Sequence, residues 1–100
     1  MDLPILCTLT ESELRERRHA ILDRMKDVVL GAAPIPGGYS YRFAPRTEVL
    51  DQLAKLVELE RQCCRFLTFK IVVEAGEQPF RLEITGPPES ISMIEELFGC

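Results

Sequence analysis

Several things are scarce in this chain, and each absence removes a class of function. No apolar run approaches the ~20 residues that a membrane-spanning helix requires, so no membrane role is expected. The start, MDLPILCTL, has no basic region ahead of its short apolar piece, so it does not read as a secretory signal and the expected compartment is the cytoplasm. Basic residues are outnumbered, with 12 Lys and Arg against 16 Asp and Glu, and they are scattered beside acids. A phosphate-binding surface needs clustered cations, so nucleic acid is not an expected partner. The four cysteines are too few for a disulfide-built scaffold, which points to reduced thiols used for packing, metal binding or redox chemistry. No C-x-x-C pair occurs, so a thiol-redox protein ranks behind the other readings. The one histidine, His19, lies in a charged run and reads as solvated. There is no Ser-His-Asp set and no Gly-rich phosphate loop. A hydrolase or a nucleotide-using enzyme is therefore not expected, and an enzyme of any kind is less expected than a binding domain.

What remains is an ordinary globular composition, with 46% hydrophobic and 28% charged residues in 100 residues, the size of a single domain spanning 1–100. LTESEL opens a first helix: Thr10 and Glu13 fit a capping box, with Leu9 and Leu14 at the staple positions. Leu14, Ile21, Leu22, Met25, Val28 and Val29 recur at helical spacing. Glu11–Arg15 and Glu13–Arg17 support its exposed face.

APIPGGYSYRF reads as a hairpin turning at Pro36-Gly37-Gly38, with Tyr39, Tyr41 and Phe43 on one face. Thr47 can cap a second helix that carries Val49, Leu50, Leu53, Leu56 and Val57 inward and runs to about Arg65. Phe69, Ile71 and Val73, then Phe80, Leu82 and Ile84, form a second hairpin turning at Gly76-Glu77-Gln78. Pro87 and Pro88 end it, and Ile91, Ile94, Leu97 and Phe98 define a last helix stopped by Gly99. The order α-ββα-ββα implies an α+β fold: a four-stranded, mainly antiparallel sheet with helices on one face. The two ββα units repeat at about 40 residues and read as a weak structural duplication. A core of this modest size also suits a homodimer.

The second helix contains the unusual feature. Measured from Leu53, Glu60 falls within roughly 20° of the centre of the apolar stripe, and Cys64 about as close on the other side. Cys63 sits at the stripe's edge, and Leu59 beyond it hints that this edge is also covered. A free cysteine packs as a small hydrophobe, but a buried carboxylate is costly unless it is paired, hydrogen-bonded, protonated or metal-bound. One reading of Glu60 is a buried link to Arg61, Arg65 or a backbone N–H elsewhere, or an acid that reaches solvent where the helix ends or bends. The other is a pocket for a soft metal or a reactive thiol. Cys63 and Cys64, being adjacent, diverge on a helix and need a third group, for which Cys7 in the extended PILCTL segment is the best candidate. Cys100 is terminal and the weakest of the four. The helix C-terminus disfavours a thiolate, with Arg61 and Arg65 as partial offsets.

PILCTLT, LERQCCRF and LEITGPPES resemble a family of small bacterial proteins that share an acid-x-x-Cys-Cys-x-Phe element, matched by Glu60, Cys63, Cys64 and Phe66, and an early cysteine, matched by Cys7. Similar segments follow the DNA-binding part of some MerR-type metal-responsive regulators. The resemblance covers nearly the whole chain, which has no DNA-binding region of its own. It implies metal or thiol sensing. The leading expectation is a binding domain with Cys7, Glu60, Cys63 and Cys64 around a thiophilic ion such as zinc or mercury. The rival is a structural, dimer-forming accessory module whose cysteines are only core packing.

Overall fold

The computed structural model describes residues 12–96, with the side chains of that span apart from those at 12–15, 63, 93, 95 and 96. The elements are α1 (Ser12–Val28), β1 (Val29–Ile35), β2 (Gly38–Phe43), α2 (Thr47–Cys63), β3 (Thr68–Val72), β4 (Phe80–Thr85) and α3 (Ile91–Glu96). The strands form one antiparallel sheet in the order β1-β2-β4-β3. This is the expected α+β architecture.

Period-two alternation decides which face is covered. Tyr41 lies opposite Leu82 and Phe43 opposite Phe80, all four buried, and Ile84 completes the row. Leu53, Leu56 and Val49 of α2, with Ile21, Leu22 and Met25 of α1, close over this face. The other parity places Arg42, Arg81, Glu83 and Lys70 on the opposite face. There Arg81 bridges to Glu74 at 2.9 Å and lies 3.7 Å from Glu83. The Tyr41 hydroxyl donates to the carbonyl of Ile94, which fastens α3 to β2.

Several boundaries differ from the sequence reading. Val29 belongs to β1 and not to the first helix, and β1 begins four residues ahead of the expected hairpin. Adjacent β-branched Val28 and Val29 suit a pleated strand as well as a helix stripe, and pairing with β2 places Val29 in the strand. The register shifts between Val29 and Gly31, leaving Leu30 as a bulged, exposed residue on this edge strand. The first turn is shorter than expected: Pro36 and Gly37 make it, and Gly38 is already in β2. Gly37 has φ +83°, a left-handed value that follows naturally after a proline in a type II arrangement. The N-cap of α2 is Arg46, with no side-chain cap, so Thr47 is the first helical residue and not the cap. Val73 lies beyond β3 and is exposed. A 3-10 turn at Pro88–Ser90 precedes α3. The Thr10–Glu13 box, the Leu9–Leu14 staple, the Glu11–Arg15 and Glu13–Arg17 pairs, and Leu97 to Cys100 fall outside the described residues or side chains.

α1 and α2 run antiparallel. Arg18 on α1 meets Glu60 on α2, and the carbonyl at the end of α1, Val28, accepts from the Ala44 N–H just before α2. The start of α1 therefore lies towards the end of α2.

Candidate functional site

The inner stripe of α2 carries Leu53, Leu56, Glu60 and Cys64, each no more than 3% exposed. The helix stops one turn past Glu60. The Cys64 N–H still donates to the Glu60 carbonyl at 2.6 Å, but Cys64 itself has left helical geometry, with φ −116° and ψ +73°. The Cys64 carbonyl then accepts from the Leu67 N–H at 3.1 Å as the chain turns into β3. α2 ends at Cys63, two residues before Arg65, and Cys64 is its C-cap. The exit bend keeps both the acid and the thiol under cover.

The Glu60 carboxylate is the one fully buried acid among the described residues. Its Oε1 accepts from Arg18 Nε at 2.5 Å. Arg61 instead pairs with Glu58 through Nε and Nη2, at 3.0 and 2.9 Å, and Arg65 is exposed. The partner of Glu60 thus comes from the first helix and not from its own neighbours. The sequence holds a signal for it: Arg18, Ile21, Leu22 and Met25 share one helical face, so the arginine sits at the end of the buried stripe.

The second carboxylate oxygen, Oε2, is buried and has no hydrogen-bond partner among the described residues. The Cys64 side chain also interacts with the carboxylate, but a thiol is a weak, long donor and does not give Oε2 a full hydrogen bond. Burial pushes the Glu60 pKa up, and the charge and hydrogen bond of Arg18 pull it only partly back. Burial and the adjacent Glu60 charge push the Cys64 thiol up to about 11, against a smaller pull from Arg18. Cys64 is therefore a neutral thiol at physiological pH and a poor nucleophile. Alkylation of Cys64 by iodoacetamide in the native protein should be far slower than for a free thiol at pH 7.5, and should accelerate as pH approaches 11. Mass mapping of the modified cysteine checks this. Rapid labelling of Cys64 at neutral pH would contradict the protonated, buried thiol.

Of the four expected site residues, Glu60 and Cys64 come together. Cys7 lies outside the described residues, and so does the side chain of Cys63. Among the described residues no three His, Cys, Asp or Glu side chains gather in a group able to hold a metal. His19 is exposed, as its charged surroundings suggest. Beside the pair, α1 and α2 leave an open cleft of about 280 Å³ with Ile21 and Leu59 as its apolar lining and Arg17, Lys55 and Glu58 around them. No helix among the described residues is long and apolar enough to cross a membrane. Comparison with family models, curated proteins and solved structures finds no match.

Proposed function

We propose that this chain is a small binding domain for a thiophilic metal ion, with Glu60 and Cys64 as the buried half of the site. The observation that carries this reading is the orphaned Glu60 Oε2: a buried carboxylate oxygen without a donor, next to a cysteine. A buried acceptor left unpaired is expensive, and a cation or a proton is what relieves it. A carboxylate oxygen and a sulfur together suit zinc or mercury better than a hard ion. The remaining ligands would be Cys63 and Cys7. Chain geometry permits this. Cys7 precedes Ser12 by five residues, a stretch that spans at most about 17–18 Å, and α1 starts towards the end of α2. The family resemblance of the Glu60-x-x-Cys-Cys element supports the same reading.

A second reading has its own observation. The Arg18–Glu60 ion pair already neutralises the acid, which suits a structural accessory module whose cysteines are core packing. Thermal melts separate the two. Under reducing conditions, zinc or mercury should raise the melting temperature of the parent by mass action, with protons released as thiols ionise. Cys64→Ser should remove most of that shift while Cys100→Ser keeps it. If the reduced parent melts at the same temperature with and without metal, the packing module becomes the better account.

A further inference from the structure

We infer that the outer edge of β1 is an interface for a second copy of this chain, joined antiparallel about a two-fold axis at Ala32. β1 is an end strand of the sheet, and among the described residues no strand pairs with its outer side. The ladders show which of its backbone groups face outward. The Gly86 N–H donates to the Gly37 carbonyl, so the odd-numbered residues of β2 turn their backbone groups towards β4. Gly38, Ser40 and Arg42 therefore bond to β1, through Ile35, Ala33 and Gly31. Alternation leaves the backbone groups of Ala32 and Pro34 pointing away from the sheet. Ala32 offers an N–H and a carbonyl there, and Pro34 a carbonyl alone. A proline at this position costs the sheet no bond.

These outward groups are complementary to themselves. With the axis beside Ala32, the Ala32 N–H of each copy donates to the Ala32 carbonyl of the other. An axis beside Pro34 makes no such reciprocal pair, because proline has no N–H, so the proline selects the register. Leu30, 54% exposed on the same edge, comes within reach of Pro34 in the other copy. Charge separates this edge from the opposite one. The strand VLGAAPI carries none, so two copies meet without like-charge repulsion, whereas β3 at the far edge carries Lys70. The contact closes at two, since each β1 has one outer edge and the axis relates it to its own kind. A short edge contact of this type gives a reversible dimer, not a permanent one.

The test is sedimentation equilibrium of the full chain, kept reduced, from about 5 μM to 1 mM, which covers micromolar to millimolar dissociation constants. The parent should pass from monomer to dimer across this range. Ala32 is exposed and its backbone groups take no part in the β1–β2 bonds, so a charge there leaves the hairpin intact. Ala32→Lys sets two cations directly opposite each other and should weaken association at least ~10-fold, and Ala32→Asp should do the same. An equimolar mixture of the two variants should associate again, because an axis at Ala32 places one charge against the other. A second measurement needs no variant: the Ala32 N–H should be protected from exchange in concentrated parent and exchange freely on dilution. A parent that stays monomeric throughout overturns the inference. So does an Ala32 N–H protected in the monomer, which would mean that another segment of this chain holds the edge. A dimer that survives both substitutions, a mixture that fails to associate, or association that runs past the dimer overturns it equally.

Discussion

Replacing Arg18 with methionine is expected to destabilise the protein by about 3–5 kcal/mol at neutral pH, a large share of a small domain's stability. The change leaves the Glu60 charge buried, with no cation near either oxygen. The reverse deletion, Glu60→Leu, should be milder, because the partly exposed Arg18 head can reach water. The double variant should return to within about 1 kcal/mol of the parent, since exchanging a buried ion pair for apolar side chains is often neutral.

The pH dependence follows from the direction of the Glu60 shift. Its pKa is raised by burial, so the folded state holds that proton more tightly than the unfolded chain does. For this group, stability is greatest at low pH and is lost as pH rises from the ordinary glutamate value through the raised one. Arg18 is the main force pulling the pKa back, so Arg18→Met moves the loss to higher pH. Its deficit should therefore be large at about pH 7.5 and shrink at about pH 5.5, while the double variant shows no such trend. Urea titrations of the four proteins at both pH values decide the matter. Equal losses in the two single variants would show that the pair is not asymmetric.

The second large effect is at Gly38, where alanine is expected to cost at least about 3 kcal/mol. Gly38, the first residue of β2, pairs with Thr85, the last of β4, at one end of the ladder between the two central strands. A Cβ there would stand 1.8 Å from the carbonyl oxygen of Ile84, 2.8 Å from its carbon and 2.9 Å from the Thr85 Cα. All three are backbone atoms and cannot rotate away. Alanine at the neighbouring Gly37 is a useful contrast. Its Cβ would meet only the Thr85 side chain, at 3.7 Å, so its cost is the left-handed backbone alone, about 1–2 kcal/mol. Should Gly37→Ala prove the more damaging of the two in urea, the close approach of β2 to β4 is not what fixes Gly38.

Alternation in YSYRF and FRLEIT was enough to read the sheet, and the 3-and-4 spacing of α2 was enough to place Glu60 and Cys64 inside. Both are local periodicities, and burial followed them. Val29 is ambiguous in the sequence because two adjacent valines satisfy a helix stripe and a strand equally until a partner strand is known. The cap of α2 is not legible in the sequence because Arg46 makes no side-chain cap hydrogen bond there. Arg18 is hidden in the sequence for a different reason. It stands in RERRH, where charge density suggests solvent, and only its phase with Ile21, Leu22 and Met25 distinguishes it. Its partner lies 42 residues away, a distance over which composition carries no pairing information.

The strand order has a consequence in time. β1–β2 and β3–β4 are each closed by their own turn, and such hairpins form in about 1–10 μs. The β2–β4 seam is unlike them, because it joins the two halves of the chain and must wait until α2 and both turns have brought those halves together. The seam, with Tyr41 against Leu82, is therefore the expected slow step of assembly. A Leu82→Ala variant should slow folding more than it speeds unfolding, a partition that stopped-flow kinetics resolves. Until that step closes, the two hairpins are separate sheets, each with an apolar face and an unpaired inner edge. The crowded glycine thus stands on the seam that joins the two halves of the molecule.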